Sequence, residues 1–154
     1  MKAEEYFANF PCAELCSQDG TSRLRLCSYG YEFPDTTRGS DADWHRNYIA
    51  LSLPGFRVEI NEACLEGRLL TFVVNDLRAF SALRQTRVDF KPTEPYFGLS
   101  FSLAPMKKVM VEGYVQYPVG IGAKLNFAFE TDLTYLDKFI EGLQAILAHF
   151  PVKH

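Results

Sequence analysis

Apolar and polar residues alternate along much of this chain, and two stretches switch to helical spacing. The first clear alternation runs from Arg23 to Tyr31, with Leu24 and Leu26 set against Arg23 and Arg25. Tyr48 to Leu53 repeats it, with Ile49, Leu51 and Leu53 on one face. After Pro54-Gly55, Phe56, Val58 and Ile60 alternate with Arg57, Glu59 and Asn61 as far as Leu65. A period of two marks a half-buried strand, and the break between these last two predicts a hairpin. Glu66-Gly67 then predicts a turn into a short strand over Arg68–Phe72. Next comes a helix capped near Asn75, with Leu77, Phe80 and Leu83 as its stripe, ending near Gln85.

The second half repeats the grammar. Phe97, Leu99, Phe101 and Leu103 share a strand face. Val109, Val111, Val115 and Tyr117 share the next, and Leu125, Phe127 and Phe129 a third. Asp132 reads as an N-cap for a final helix carrying Leu133, Leu136, Phe139, Ile140, Leu143, Ile146 and Leu147. The pattern predicts an α+β fold: a largely antiparallel, meandering sheet with two packed helices. Strand, Asp76-Leu77, Phe80 is echoed by strand, Asp132-Leu133, Leu136. That echo leaves open a pseudo-duplicated meander-plus-helix unit. The first twenty residues stay ambiguous, with Tyr6, Phe7 and Phe10 as an anchoring arm before Pro11.

Composition narrows the class. The 154 residues are 47% hydrophobic and 23% charged, which suits a single domain over 1–154 and excludes a disordered chain. The formal charge is −3, and the longest basic run is Lys107-Lys108. A phosphate-binding surface would need a basic field, so no nucleic-acid partner is expected. Residues 1–76 hold 12 acidic and 7 basic side chains, an acidic half suited to a basic protein partner. No stretch approaches 18 apolar residues, so no membrane span is expected. Glu4 and Glu5 stand where the apolar run of a secretory leader would begin. Cytoplasmic residence with reduced thiols is the expectation.

Candidate chemistry is sparse. Cys12 and Cys16 form one C-x3-C pair with no second pair, short of the about four ligands a structural zinc requires. Cys27 and Cys64 fall in predicted strands as small buried residues. Glu112 and Glu130 sit on the polar faces of consecutive strands, where they read as solvated residues opposite Lys108 and Lys124 or as a carboxylate pair. His45 is the one histidine placed to act as a base, beside Trp44 and near Asp41 and Asp43, but no nucleophile is tied to it. Neither a catalytic set nor a cofactor is expected. The better reading is recognition. Tyr29, Tyr31, Phe33, Trp44 and Tyr48 flank an acidic loop, and rigid aromatics beside charges suit a protein-binding surface. The residues singled out for it are Tyr31, Asp41, Asp43, Trp44 and His45.

Several of these features together resemble the WapI-type immunity proteins and their bacterial relatives. They are Trp44 before the strand Tyr48–Leu53, Pro54-Gly55-Phe56, and Asn75-Asp76-Leu77 with Phe80. The series continues with Phe127-Ala128-Phe129-Glu130-Thr131-Asp132, Leu133-Thr134-Tyr135-Leu136 and Phe150-Pro151-Val152. The similarity covers about residues 23–152. It implies a non-enzymatic protein that binds and sterically neutralises a cognate toxin. A structural or regulatory domain is the alternative, and a small-ligand binder or enzyme a more distant one.

Overall fold

The computed structural model describes residues 1–153. A short helix α1 (Ala3–Asn9) precedes a four-stranded meander: β1 (Cys12–Cys16), β2 (Arg23–Tyr31), β3 (Trp44–Leu53) and β4 (Phe56–Glu66). Helix α2 (Gly67–Ser81) leads to a second meander: β5 (Arg87–Phe90), β6 (Phe97–Ala104), β7 (Lys108–Tyr117) and β8 (Ala123–Asp132). Helix α3 (Leu133–His149) follows. Each meander is an antiparallel sheet with its strands in chain order. The α+β fold and the repeated meander-plus-helix plan are both present.

The expected strand at Arg68–Phe72 does not form. These residues belong to α2, which starts at Gly67 rather than near Asn75. Leu70, Val73, Val74, Leu77 and Phe80 form one buried stripe at helical spacing, and its start is masked by the short apolar run of Leu69, Leu70 and Phe72, which fits a strand equally well. Asn75 lies exposed in mid-helix. The final helix matches its expectation, for Asp132 Oδ1 accepts the backbone N–H of Tyr135 at 2.8 Å.

Each helix packs against the strand that opens the other meander: α2 against β5, and α3 against β1. Leu24, Ile49 and Leu51 of the first sheet, Phe97, Phe101 and Val111 of the second, and Phe80, Phe139 and Leu143 of the helices share one core. The α3–β1 approach depends on a glycine. A Cβ at Gly142 would stand 2.5 Å from Ala13 Cα and 2.6 Å from the Cys12 carbonyl oxygen. Neither backbone atom can yield without moving β1. Gly142→Ala is therefore expected to lose about 1–3 kcal/mol net, although alanine favours a helix by about 1 kcal/mol. The urea unfolding midpoint checks this.

The outer face of the first sheet is covered by α1. Tyr6 stacks on Tyr48 with ring centroids 4.5 Å apart, and the Arg25 guanidinium lies 4.0 Å above the Phe7 ring. Arg25 also donates to both carboxylate oxygens of Glu4, at 3.1 and 2.9 Å.

Candidate protein-binding surface

Two bulges shape the end of the first sheet. The β2–β3 register shifts between Ser28 and Gly30, and the β3–β4 register shifts between His45 and Arg46. Bulges bend a strand and re-aim its side chains. Here they flank β3 where it emerges from the acidic loop. Asn47, fully buried, ties them together. Its Nδ2 donates to the Cys27 carbonyl and Ser28 Oγ, and its Oδ1 accepts the N–H groups of Cys64 and Leu65.

Beyond the bulges, Glu32, Phe33, Asp41, Trp44, Ala63, Glu94 and Tyr96 line an open cleft of about 430 Å3. The aromatic wall continues to Tyr117, whose ring stacks on Tyr96 at 6.0 Å. Tyr117 Oη donates to Glu62 Oε1 at 2.9 Å. Burial and then the Glu62 and Glu94 carboxylates push the Tyr96 phenol up, and the Glu62 hydrogen bond pushes Tyr117 up. Both hydroxyls therefore stay protonated at neutral pH. Arg46 lies at this end too, with its Nε paired to Glu32 at 3.1 Å. The cleft thus interleaves aromatic faces with carboxylates, which suits a partner carrying Lys or Arg.

The loop under the cleft is held by the C-terminal segment. The Lys153 ammonium lies 4.0 Å over the Tyr31 ring and donates to the carbonyls of Phe33, Pro34 and Thr36. Its backbone N–H donates to Asp43 Oδ1 at 2.7 Å, and Tyr31 Oη donates to the Pro151 carbonyl at 2.6 Å. Arg68 Nε stands 3.9 Å from Asp43 Oδ2.

The structure divides the five residues singled out from sequence. Asp41 and Trp44 line the cleft. Tyr31 is half-buried beneath it. Asp43 and His45 are buried, at 1% and 0% exposure, so neither presents a side chain to a partner. Both face inward because the turn Ser40–Asp43 folds Ala42 and Asp43 under the loop and β3 then alternates. In the sequence, Tyr117 stands only on the face of a predicted strand, and neither Tyr96 nor Glu94 carries a signal for this surface. Their convergence on the cleft depends on how the second sheet meets the first, which no local pattern encodes.

The remaining chemistry stays apart. Ser28 Oγ stands 3.0 Å from His45 Nδ1, but both residues are fully buried and a substrate has no route to them. Among the described residues, His45 Nε2 has no hydrogen-bond partner, and none of their carboxylates orients the ring as in a triad. Glu112 faces Ala128 and Glu130 faces Met110, so the two carboxylates are diagonal neighbours on an exposed sheet face and not directly opposite each other. Among the described residues, no three His, Cys, Asp or Glu side chains gather as metal ligands.

The sequence profile described as the immunity protein WapI-like family matches residues 14–151. The chain belongs to the WapI-like immunity protein family. No curated protein matches it. Among solved structures, a chain described as "Crystal structures of trypanosoma bruciei MRP1/MRP2" is similar at a TM-score of 0.51 and 12% identity. The match covers 98% of this chain and 93% of that one, a likeness of fold alone. In this WapI-like protein the matched span includes both sheets, α2, α3 and the cleft; α1, Cys12 and Lys153 lie outside it. Among the described residues, no helix is long and apolar enough to cross a membrane.

Proposed function

We propose that this WapI-like protein acts as a single non-enzymatic domain in the bacterial cytoplasm, where it binds a cognate toxin and blocks it sterically. The supporting observation is the cleft, where Phe33, Trp44 and Tyr96 stand among Glu32, Asp41 and Glu94. The partner surface it fits is basic, with Lys or Arg side chains entering between the aromatic faces. Such a contact needs no turnover, metal or cofactor.

The test is capture of the partner from the native cell by tagged protein, followed by titration of the purified pair. Asp41→Lys with Glu94→Lys, and separately Trp44→Ala, are expected to weaken binding by about 30-fold or more, the scale of an interface hot spot. Capture should also weaken at about 0.5 M salt, where exposed charges are screened. Asp43 is unsuitable for charge reversal because its carboxylate is buried against the Lys153 backbone. Full affinity in both variants would place the toxin elsewhere on the molecule. Loss of protection in cells expressing the toxin, with folding intact, would support the reading.

A further inference from the structure

Cys12 on β1 and Cys27 on β2 stand directly opposite each other. The Ser28 N–H donates to the Pro11 carbonyl at 3.2 Å. That bond brackets the two cysteines rather than joining them, so theirs is a non-hydrogen-bonded pair. At such a pair the Cα atoms are about 4.5 Å apart and the side chains closest, within the roughly 4.4–6.8 Å that a disulfide spans. The other two cysteines have no such partner. Cys16 is opposite Arg23, and Cys64 lies at the β3–β4 bulge against Asn47.

Both thiols also meet α1. Cys12 Sγ donates to the Phe7 carbonyl at 3.8 Å, and Cys27 Sγ to the Tyr6 carbonyl at 3.5 Å. Both carbonyls belong to the last turn of α1, and that of Tyr6 also accepts the Phe10 N–H at 3.1 Å. The sulfur pair thus lies between the sheet and the helix that covers it. It lines no part of the acidic cleft, so its chemistry is independent of toxin binding there.

We propose that Cys12 and Cys27 are a reversible thiol–disulfide exchange site for low-molecular-weight disulfides, and that closing the bond loosens α1 from the first sheet. Cys12, half-buried, is the attacking thiol; Cys27, fully buried, resolves. The Cys12 thiolate attacks one sulfur of the small disulfide, forming a mixed disulfide and expelling one small thiolate. The Cys27 thiolate then attacks the Cys12 sulfur, which closes the protein disulfide and expels the second. The two cysteine protons end on the two small thiols, and the protein loses two electrons to the disulfide it consumed. Neither sulfur can then donate a hydrogen to Tyr6 or Phe7. Burial holds both thiols up, Cys27 to about 12, so attack waits on transient opening of α1.

The experiment uses the reduced full chain with excess 2-hydroxyethyl disulfide, alkylation of remaining thiols and peptide mapping without reduction. A Cys12–Cys27 cross-linked peptide, reversed by dithiothreitol, is the expected result. C27S should stop at the mixed disulfide on Cys12, and C12S should block the cross-link. Amide exchange over residues 4–10 should run about tenfold faster in the oxidised protein. Cys12 and Cys27 both recovered as alkylated thiols after Cys16 has reacted would overturn the exchange site. So would a Cys12–Cys16 cross-link. Unchanged exchange in α1 after closure would overturn the coupling to the helix. The map on the unsubstituted chain decides the first point even if C27S fails to fold.

Discussion

Replacing Asn47 by alanine is expected to cost about 3–5 kcal/mol, the largest single-residue loss predicted for this fold, read as a drop in the urea midpoint at constant m-value. The reason lies in the two bulges. Cys64 is the residue without a ladder partner in the β3–β4 pairing, and its N–H is taken by Asn47 Oδ1 at 3.1 Å. The Leu65 N–H reaches the same oxygen at 2.8 Å. On the other side, Nδ2 donates to Ser28 Oγ at 2.9 Å and to the Cys27 carbonyl at 3.2 Å. Alanine strands two buried N–H groups at once, and each buried unsatisfied donor costs about 1–3 kcal/mol. A loss of this size is comparable with much of the net stability of an ordinary domain. Asn47→Asp separates the acceptor role from the donor role. It retains the acceptor for Cys64 and Leu65 but loses both donor bonds and places a charge in the interior. An alanine variant as stable as the parent would mean that the bulges hold themselves.

The strands β2 to β4 and β6 to β8 are legible because one face meets the core and the other does not, which imposes the period of two. Helix α3 is legible because its apolar stripe is broad and Asp132 marks its start. The start of helix α2 is not, because Leu69, Leu70, Val73 and Val74 satisfy either period locally. Only the packing of Leu70 and Val73 into the shared core decides between them. The candidate surface is legible in its first half, since Trp44 and Asp41 flank one loop. Its second half, Glu94, Tyr96 and Tyr117, comes from the other side of α2 in the chain. Asp43 and His45 have the same sequence signature as Asp41 and Trp44. What separates them is the direction each side chain takes after the turn at Ser40–Asp43, and that is a property of the bulged strand.

His45 carries the second large effect, because it makes stability depend on pH well above the range where carboxylates ordinarily protonate. The ring is fully buried between Tyr31 and Phe150, at centroid distances of 5.8 and 5.5 Å, with Ser28 Oγ on Nδ1. Burial lowers its pKa from 6.5 to about 4, and the nearby Asp43 opposes that shift without cancelling it. The unfolded chain therefore takes up this proton first as the pH falls. The stabilisation from neutral His45 is complete above about pH 6.5. It declines as the pH falls from there to about 4, and below that the full shift, about 3 kcal/mol, has been lost. Between pH 7 and pH 5 alone the loss is about 2 kcal/mol. His45→Gln should be less stable at pH 7, for lost packing, yet nearly flat from pH 7 to pH 5. Urea midpoints at three pH values check both expectations, and an equal slope in parent and variant would remove His45 as the cause. The consequence reaches the candidate surface because Trp44 precedes His45 on the same strand. The folded protein keeps the ring neutral down to about pH 4, so mild acid leaves β3 in place and lowers the free energy that holds it there. Occupancy of the proposed surface between pH 7 and pH 5 is therefore expected to fall only in step with the unfolded fraction, and a steeper fall would assign the pH dependence to the contact itself.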